Sequence, residues 1–305
     1  MAEIIQQDGT WTFDGDVIRV VPGGDKSVSP LRRTLGEVAV PLRAVAGISL
    51  ESGRKAARLR LRLREGADPL IQATGGRLEE ASDPYRLTVA RDRTGVAEYF
   101  VDEVRNALLL DEVEQGPTDS YLLPGPALPV TVGAGDGTVA FDGERIRLSW
   151  NWKTEESKAS GGERTLSLAE VDAVEWLPAT GLENGFLRFR TGGSSAGGGP
   201  AGGASAVVPA KYDPYAVELW GFRKDPLMAL VAAAVVARLP HPNAPRPAAL
   251  PSGPAAGAPG PATGRGGDDP DALLRRLREL GELHRSGVLT DEEFTLAKQA
   301  VLKRL

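Results

Sequence analysis

Three stretches of this sequence occur twice, in the same order and at nearly the same spacing. Gly9-Thr10-Trp11-Thr12-Phe13-Asp14-Gly15 returns as Gly137-Thr138-Val139-Ala140-Phe141-Asp142-Gly143, and Leu59-Arg60-Leu61-Arg62 returns as Leu187-Arg188-Phe189-Arg190, both at an offset of 128 residues. Asp83-Pro84-Tyr85 returns as Asp213-Pro214-Tyr215 at an offset of 130. Self-similarity of this kind means a duplicated domain, so the fold of one copy constrains the fold of the other.

Each copy spans about a hundred residues, enough to bury a core of its own. In the first, Trp11 and Phe13 alternate with polar residues, Asp14-Gly15 makes a turn, and Ile18 and Val20 resume the alternation. Strand-like runs follow at Val38–Leu42, Val45–Glu51, Ala57–Arg64, Leu70–Thr74 and Tyr85–Ala90, after a loop from Pro22 to Pro30. The period then lengthens: Val96, Phe100, Val104, Ala107 and Leu108 recur at helical spacing. The second copy repeats the plan, with strands at Val139–Phe141, Ile146–Leu148, Leu166–Leu168, Val171–Leu177, Phe186–Arg190, Ala206–Pro209 and Ala216–Trp220. Asp225 and Pro226 read as N-cap and N1 of its closing helix. That helix, Leu227–Leu239, is apolar on almost every side and so must be covered all round, with the other repeat as a candidate cover. The expected fold class is mainly β with helices: two tandem β-barrel or sandwich repeats, each closed by a C-terminal α-helix.

The expected organisation is repeat one over 1–113, a linker over 114–135, and repeat two over 136–240. A disordered Pro/Ala/Gly linker follows over 241–267, then a helical hairpin over 268–305. Gly192–Ser205, rich in Gly, Ser and Ala, reads as a flexible insertion where repeat one has a shorter turn. It lacks the Gly-Lys-Ser/Thr ending of a phosphate-binding loop. In the hairpin, Asp269-Pro270 starts one helix and Gly287 ends it. Thr290-Asp291-Glu292-Glu293 caps a second. Leu273, Leu277, Leu280, Phe294 and Val301 line its apolar side. A unit of this size buries too little surface to stand alone, so it is expected to pack on a copy of itself or on another protein through residues 268–305.

Composition removes several function classes. Cysteine is absent, which excludes disulfides, thiol catalysis and Cys-ligated metal, and suits a reducing, cytoplasmic setting. The N-terminus is polar almost at once, unlike a secretory signal, and the longest apolar run is too short to span a bilayer. The net charge of −5 is spread as −2 over 1–113, −2 over 136–240 and −1 over 268–305. With no basic domain, nucleic acid is an unsuitable partner. The two histidines, His241 in the tether and His284 late in a short helix, leave no basis for a His triad or His-based metal site. The expectation is a non-enzyme with no catalytic residues, no metal and no cofactor.

Arg58, Arg60, Arg62 and Arg64 alternate with leucines, so a strand here turns four arginines to one face. The row suits an anionic headgroup, an anionic membrane surface or an acidic partner; it also suits a solvated face that resists edge pairing. Asp83-Pro84-Tyr85 and its repeat read as turns, and the Phe-Asp-Gly pairs as turn chemistry beside a core aromatic. Trp150 and Trp152 fall on one face beside Lys153 and read as core or inter-repeat packing rather than base stacking.

Gly287-Val288-Leu289-Thr290-Asp291-Glu292-Glu293-Phe294, with Leu277, Leu280, Lys298 and Leu302, resembles the short C-terminal (SHOCT) domain of bacterial proteins over about the last 36 residues. That resemblance implies an oligomerisation or interaction element. The two repeats are similar to an uncharacterised tandem domain of actinobacterial proteins that often carries SHOCT at its end. Seven strands and a closing helix also resemble the pleckstrin-homology-like (PH-like) superfold, an analogy of element order that concerns fold alone.

Overall fold

The computed structural model describes residues 1–192, 208–220 and 226–244. Repeat one runs β1 (Ala2–Gln6), β2 (Gly9–Phe13), β3 (Val17–Pro22), α1 (Pro30–Leu35), β4 (Val38–Pro41), β5 (Val45–Glu51), β6 (Ala57–Leu63), α2 (Pro69–Thr74), β7 (Arg86–Val89) and α3 (Thr94–Leu110). Its strands form two antiparallel sheets, β1-β2-β3-β4 and β5-β6-β7. Alternation along β2 buries Trp11 and Phe13 and leaves the threonines toward solvent. The buried stripe of α3, Ala97, Phe100, Val101 and Val104, closes the core, with Phe100 meeting Trp11 edge to face at 6.3 Å.

Repeat two runs β8 (Val130–Ala134), β9 (Gly137–Phe141), β10 (Arg145–Trp150), α4 (Glu156–Ala159), β11 (Arg164–Ser167), β12 (Val171–Leu177), β13 (Gly185–Thr191), β14 (Ala216–Leu219) and α5 (Met228–Val236), with sheets β11-β10-β9-β8 and β12-β13-β14. The duplication holds at the level of register. Phe13 stands opposite Ala2 and Ile18; Phe141 stands opposite Val130 and Ile146. Even the irregularity is copied: β5 shifts register between Val45 and Gly47, and β12 between Val171 and Ala173. Both Phe-Asp-Gly turns have the aspartate accepting two backbone N–H groups and a glycine near φ 115°. Asp83 and Asp213 each accept the N–H of the tyrosine two residues on, at 2.9 Å, so these too are turns.

Several elements differ from the sequence expectation. Leu70–Thr74 is the helix α2 rather than a strand: Asp68 caps it through Leu70 N and Ile71 N, Pro69 takes the first turn, and Gly75 ends it in the left-handed region. The β6–β7 connection of repeat one is therefore no short turn. At 22 residues it is only two shorter than the 24-residue β13–β14 connection that contains the Gly-rich stretch, of which 193–207 lie outside the described residues. Val208 and Pro209 carry no strand. The edge strands β1 and β8 take the place of those two runs, keeping seven strands per repeat among the described residues. β8 stands on Val130–Ala134, inside the stretch read as linker, and buries Val132 and Ala134. The N-cap of α5 is Leu227; Asp225 lies outside the described residues.

Both repeats belong to one compact unit, Met1–Arg246. Every residue of α5 is buried. β8, β9, β12 and β13 cover it from its own repeat, and α2 covers it from repeat one. Leu31, Leu70 and Ala73 of repeat one thereby join the core of repeat two. The connecting segment is tied down as well. Thr118 N donates to Glu65 O at 2.8 Å and Leu122 N to Ala67 O at 2.9 Å. His241, expected in the free tether, meets Tyr121 edge to face at 4.6 Å, with Nε2 3.0 Å from Gly66 O and Nδ1 accepting from Asn243 N.

Candidate functional site

The site begins with strand alternation. β6 turns Leu59 and Leu61 into the core and leaves Arg58, Arg60 and Arg62 exposed on the opposite face. Arg64, one step past the strand, leaves the row. Its side chain is only 9% exposed, and its guanidinium donates to Gly116 O at 2.8 Å and Arg43 O at 3.1 Å and pairs with Glu114. Two arginines that the alternation does not reveal take its place. Arg86 on β7 reaches Glu80 at 2.8 Å and Asp83 at 3.0 Å, and Arg58 reaches the same Glu80 oxygen at 3.2 Å. Arg32 of α1, buried, lies behind them with Asp8 at 3.7 Å. Together Arg32, Arg58, Arg60 and Arg86, with Asp8, Glu51 and Glu80, line a concavity of about 330 Å³.

Arg60 and Arg62 are the uncompensated members. Neither has an acid partner among the described residues, and Arg62 lays its guanidinium over Gly47 on the neighbouring strand. Two positive charges about 7 Å apart on one face repel by about 0.6 kcal/mol in bulk water, more where water is partly excluded. The counterpart face of repeat two is neutralised from within. Arg188, the copy of Arg60, is buried, 2.7 Å from Asp213 and 3.7 Å from Glu175. Its Nε contact with Asp213 is an ion pair at an angle too bent for a hydrogen bond. Arg190, the copy of Arg62, meets Glu175 at 2.7 Å. Among the described residues, the pair of arginines without acid partners on this face therefore belongs to repeat one.

A duplicated polar clamp supports each face, and the sequence reading passed over it. In repeat two, buried Lys158 of α4 donates to Asp136 at 2.5 Å and to Ala210 O at 3.1 Å, with its charge 4.5 Å over the Trp150 ring. Asp136 also accepts Glu218 N of β14 at 2.8 Å. In repeat one, Asp8 accepts Thr88 N of β7 at 3.0 Å and pairs with Arg32. Each clamp ties the first hairpin to the last strand. Its signal was present as a second Asp-Gly-Thr at 8–10 and 136–138. Burial pushes the Asp136 carboxyl above the ordinary 3.8, against the pull of Lys158.

Other candidates scatter. Trp150 packs against the core of repeat two and donates from Nε1 to Gly162 O. Trp152 contradicts the packing expectation: it is 88% exposed, because the chain leaves the strand after Trp150 and the alternation ends there. Lys153 sits 4.9 Å from its ring and 4.8 Å from that of Trp220. Leu273, Leu277, Leu280, Phe294 and Val301 lie outside the described residues. Among the described residues no group of three or more His, Cys, Asp or Glu is placed to hold a metal ion, and no helix is long and apolar enough to cross a membrane.

Comparison with known families agrees with the duplicated architecture. The model of the family described as Domain of unknown function (DUF4429) matches twice, over residues 11–105 and 139–236, and that of the Short C-terminal domain (SHOCT) matches residues 275–302. No curated protein matches the chain. With the two longer matches covering more than half of its residues, this chain belongs to the DUF4429 family, carrying that domain in tandem with a short C-terminal domain after it.

Proposed function

We propose that this is a non-enzymatic, cytoplasmic interaction or scaffold protein, in which residues 268–305 gather copies of the chain or bind another protein. The observation that carries this reading is the short C-terminal domain match at 275–302, on a segment whose sequence reads as a helical hairpin too small to bury its apolar stripe alone. Among the described residues, the buried acids Asp68 and Asp136 and the half-buried His241 fit a structural role. Asp68 caps α2, Asp136 holds the hairpin clamp, and His241 is engaged with Gly66 and Asn243. Sedimentation of the full chain beside a chain ending at Gly267 tests the proposal. The full chain is expected to form a multiple of its monomer mass and the shortened one to be monomeric; equal mass per particle in both removes self-association through this segment from the account.

A second reading is favoured by the contrast between Arg60 and Arg62, unpaired, and Arg188 and Arg190, paired. In it the arginine face of repeat one meets an anionic lipid surface. Each basic residue near such a surface contributes about 1 kcal/mol, so Arg60→Ser with Arg62→Ser is expected to weaken binding to phosphatidylserine-containing vesicles about thirtyfold at low salt. Indifference of vesicle binding to this double change discards the reading.

A further inference from the structure

The arginine face of repeat one borders a second concavity, and this one has apolar walls. β7 pairs with β6 only from Ala57 to Arg60, so β6 runs on to Leu63 past the end of its neighbour. There a groove of about 290 Å³ opens between the strand, α2 and the turn before β7. Arg60 and Arg62 stand on its strand side. The half-buried Leu63 and Leu78, the exposed Ile71 of α2 and the buried Pro84 line it with hydrocarbon. An apolar pocket with a few placed polar groups is the usual form of a small-molecule site.

Most of the polar side chains in the lining are already engaged. Tyr85 donates its hydroxyl to Asp68 at 2.8 Å, and Thr74 donates its own to Leu70 O at 2.7 Å. Among the described residues the one carboxylate of the lining is Asp83, which accepts Arg86 Nε at 3.0 Å and Tyr85 N at 2.9 Å. It thus answers the third arginine of the lining and leaves Arg60 and Arg62 unanswered, with no hydrogen bond or ion pair among the described residues. Two positive charges beside a hydrocarbon wall repel an ammonium group and suit an anionic head carried on an alkyl chain. A cavity of about 150 Å³ holds benzene, so this one takes about a dozen non-hydrogen atoms. We propose that the groove binds an anionic amphiphile, its carboxylate or phosphate head on Arg60 and Arg62 and one alkyl chain against Leu63, Ile71, Leu78 and Pro84. The inference rests on the second reading above for its anion seat and adds the chain beside it.

Calorimetric titration of the full chain with hexanoate, heptanoate, octanoate and octylamine tests this. Saturable binding of octanoate, at least tenfold tighter than that of octylamine, is expected. Each methylene added from hexanoate to octanoate is expected to tighten binding about fourfold, the gain for one buried CH₂. Arg60→Ser with Arg62→Ser is expected to weaken octanoate at least tenfold. Ile71→Glu, which sets an acid beside the chain at an exposed position, is expected to do the same while the circular dichroism spectrum is kept; Ile71→Ser serves should Ile71→Glu fail to fold. Phosphatidylserine vesicles, titrated in parallel, separate a free chain from a lipid in a bilayer. Octanoate bound without vesicles supports the groove and removes the membrane reading; vesicles bound without octanoate overturn the groove and leave that reading standing. Affinity indifferent to chain length, tighter binding of octylamine, or octanoate binding unchanged by the substitutions at Arg60 and Arg62 or at Ile71 also overturns the proposal.

Discussion

Asp68 shows how one side chain can hold several elements together. Its carboxylate accepts Leu70 N and Ile71 N at the start of α2 and takes the Tyr85 hydroxyl at 2.8 Å, joining the helix to the turn before β7. Burial dominates its proton affinity and holds the carboxyl above the ordinary 3.8, despite three hydrogen bonds that favour the charged form. Burial, with the Asp68 charge added, also pushes the Tyr85 phenol well above 10.0. Because the folded state binds the Asp68 proton more tightly than the unfolded state does, this group favours folding below pH 3.8. That contribution is lost as pH rises through the folded pKa. Asp68→Asn keeps a capping oxygen and removes the titration. The urea midpoint of the native chain is therefore expected to rise relative to that of Asp68→Asn between pH 7 and pH 4.5; a constant difference contradicts the assignment. The sequence displayed the turn aspartates plainly, because Asp-Gly and Asp-Pro announce themselves locally. The partners of Asp8, Asp68 and Asp136 were not legible, since they stand far off in sequence, at Thr88, Tyr85 and Glu218.

At the scale of elements, the informative error is α2. Leu70–Thr74 reads as a strand by apolar content alone, yet the Asp-Pro pair that reads as a helix start in the sequence at 225 and 269 also stands at 68. The local cap outweighs the run of apolar residues, and tertiary burial settles the outcome. The helix is only six residues long, but Leu70 and Ala73 enter the core of the other repeat against α5. Leu70→Ala is thus expected to destabilise the chain by about 2–5 kcal/mol. Ile71→Ala, at a residue 36% exposed on the same helix, is expected to change stability by about 0.5 kcal/mol. Chemical denaturation of the two variants side by side checks this; equal effects deny α2 its role in joining the repeats. The missed edge strand β1 has a similar cause: Ile4 points in and Ile5 out, so adjacent isoleucines hide the alternation.

For the whole molecule, the duplication made the architecture legible, while the divergence between copies carries the functional signal. Registers, bulge, turns and clamps agree between the repeats. Arg60 and Arg62 do not agree with Arg188 and Arg190 in their surroundings, and no pattern in either strand foretold which pair would find acids. An apolar helix covered on every side was readable as a demand for a partner, and the other repeat supplies part of that cover. In the proposed account a single arginine face is weak by itself and gains strength when chains gather, by effective concentration rather than by new contacts. Gathering through the C-terminal segment is the central claim. The most direct test is light scattering of the full-length chain with Leu277→Asp and Phe294→Asp, over a range of concentrations beside the unaltered chain. The account predicts that the unaltered chain associates, while the variant stays at the monomer mass of 32.2 kDa. A variant that associates as the unaltered chain does, or an unaltered chain that remains monomeric throughout with no bound protein, contradicts it.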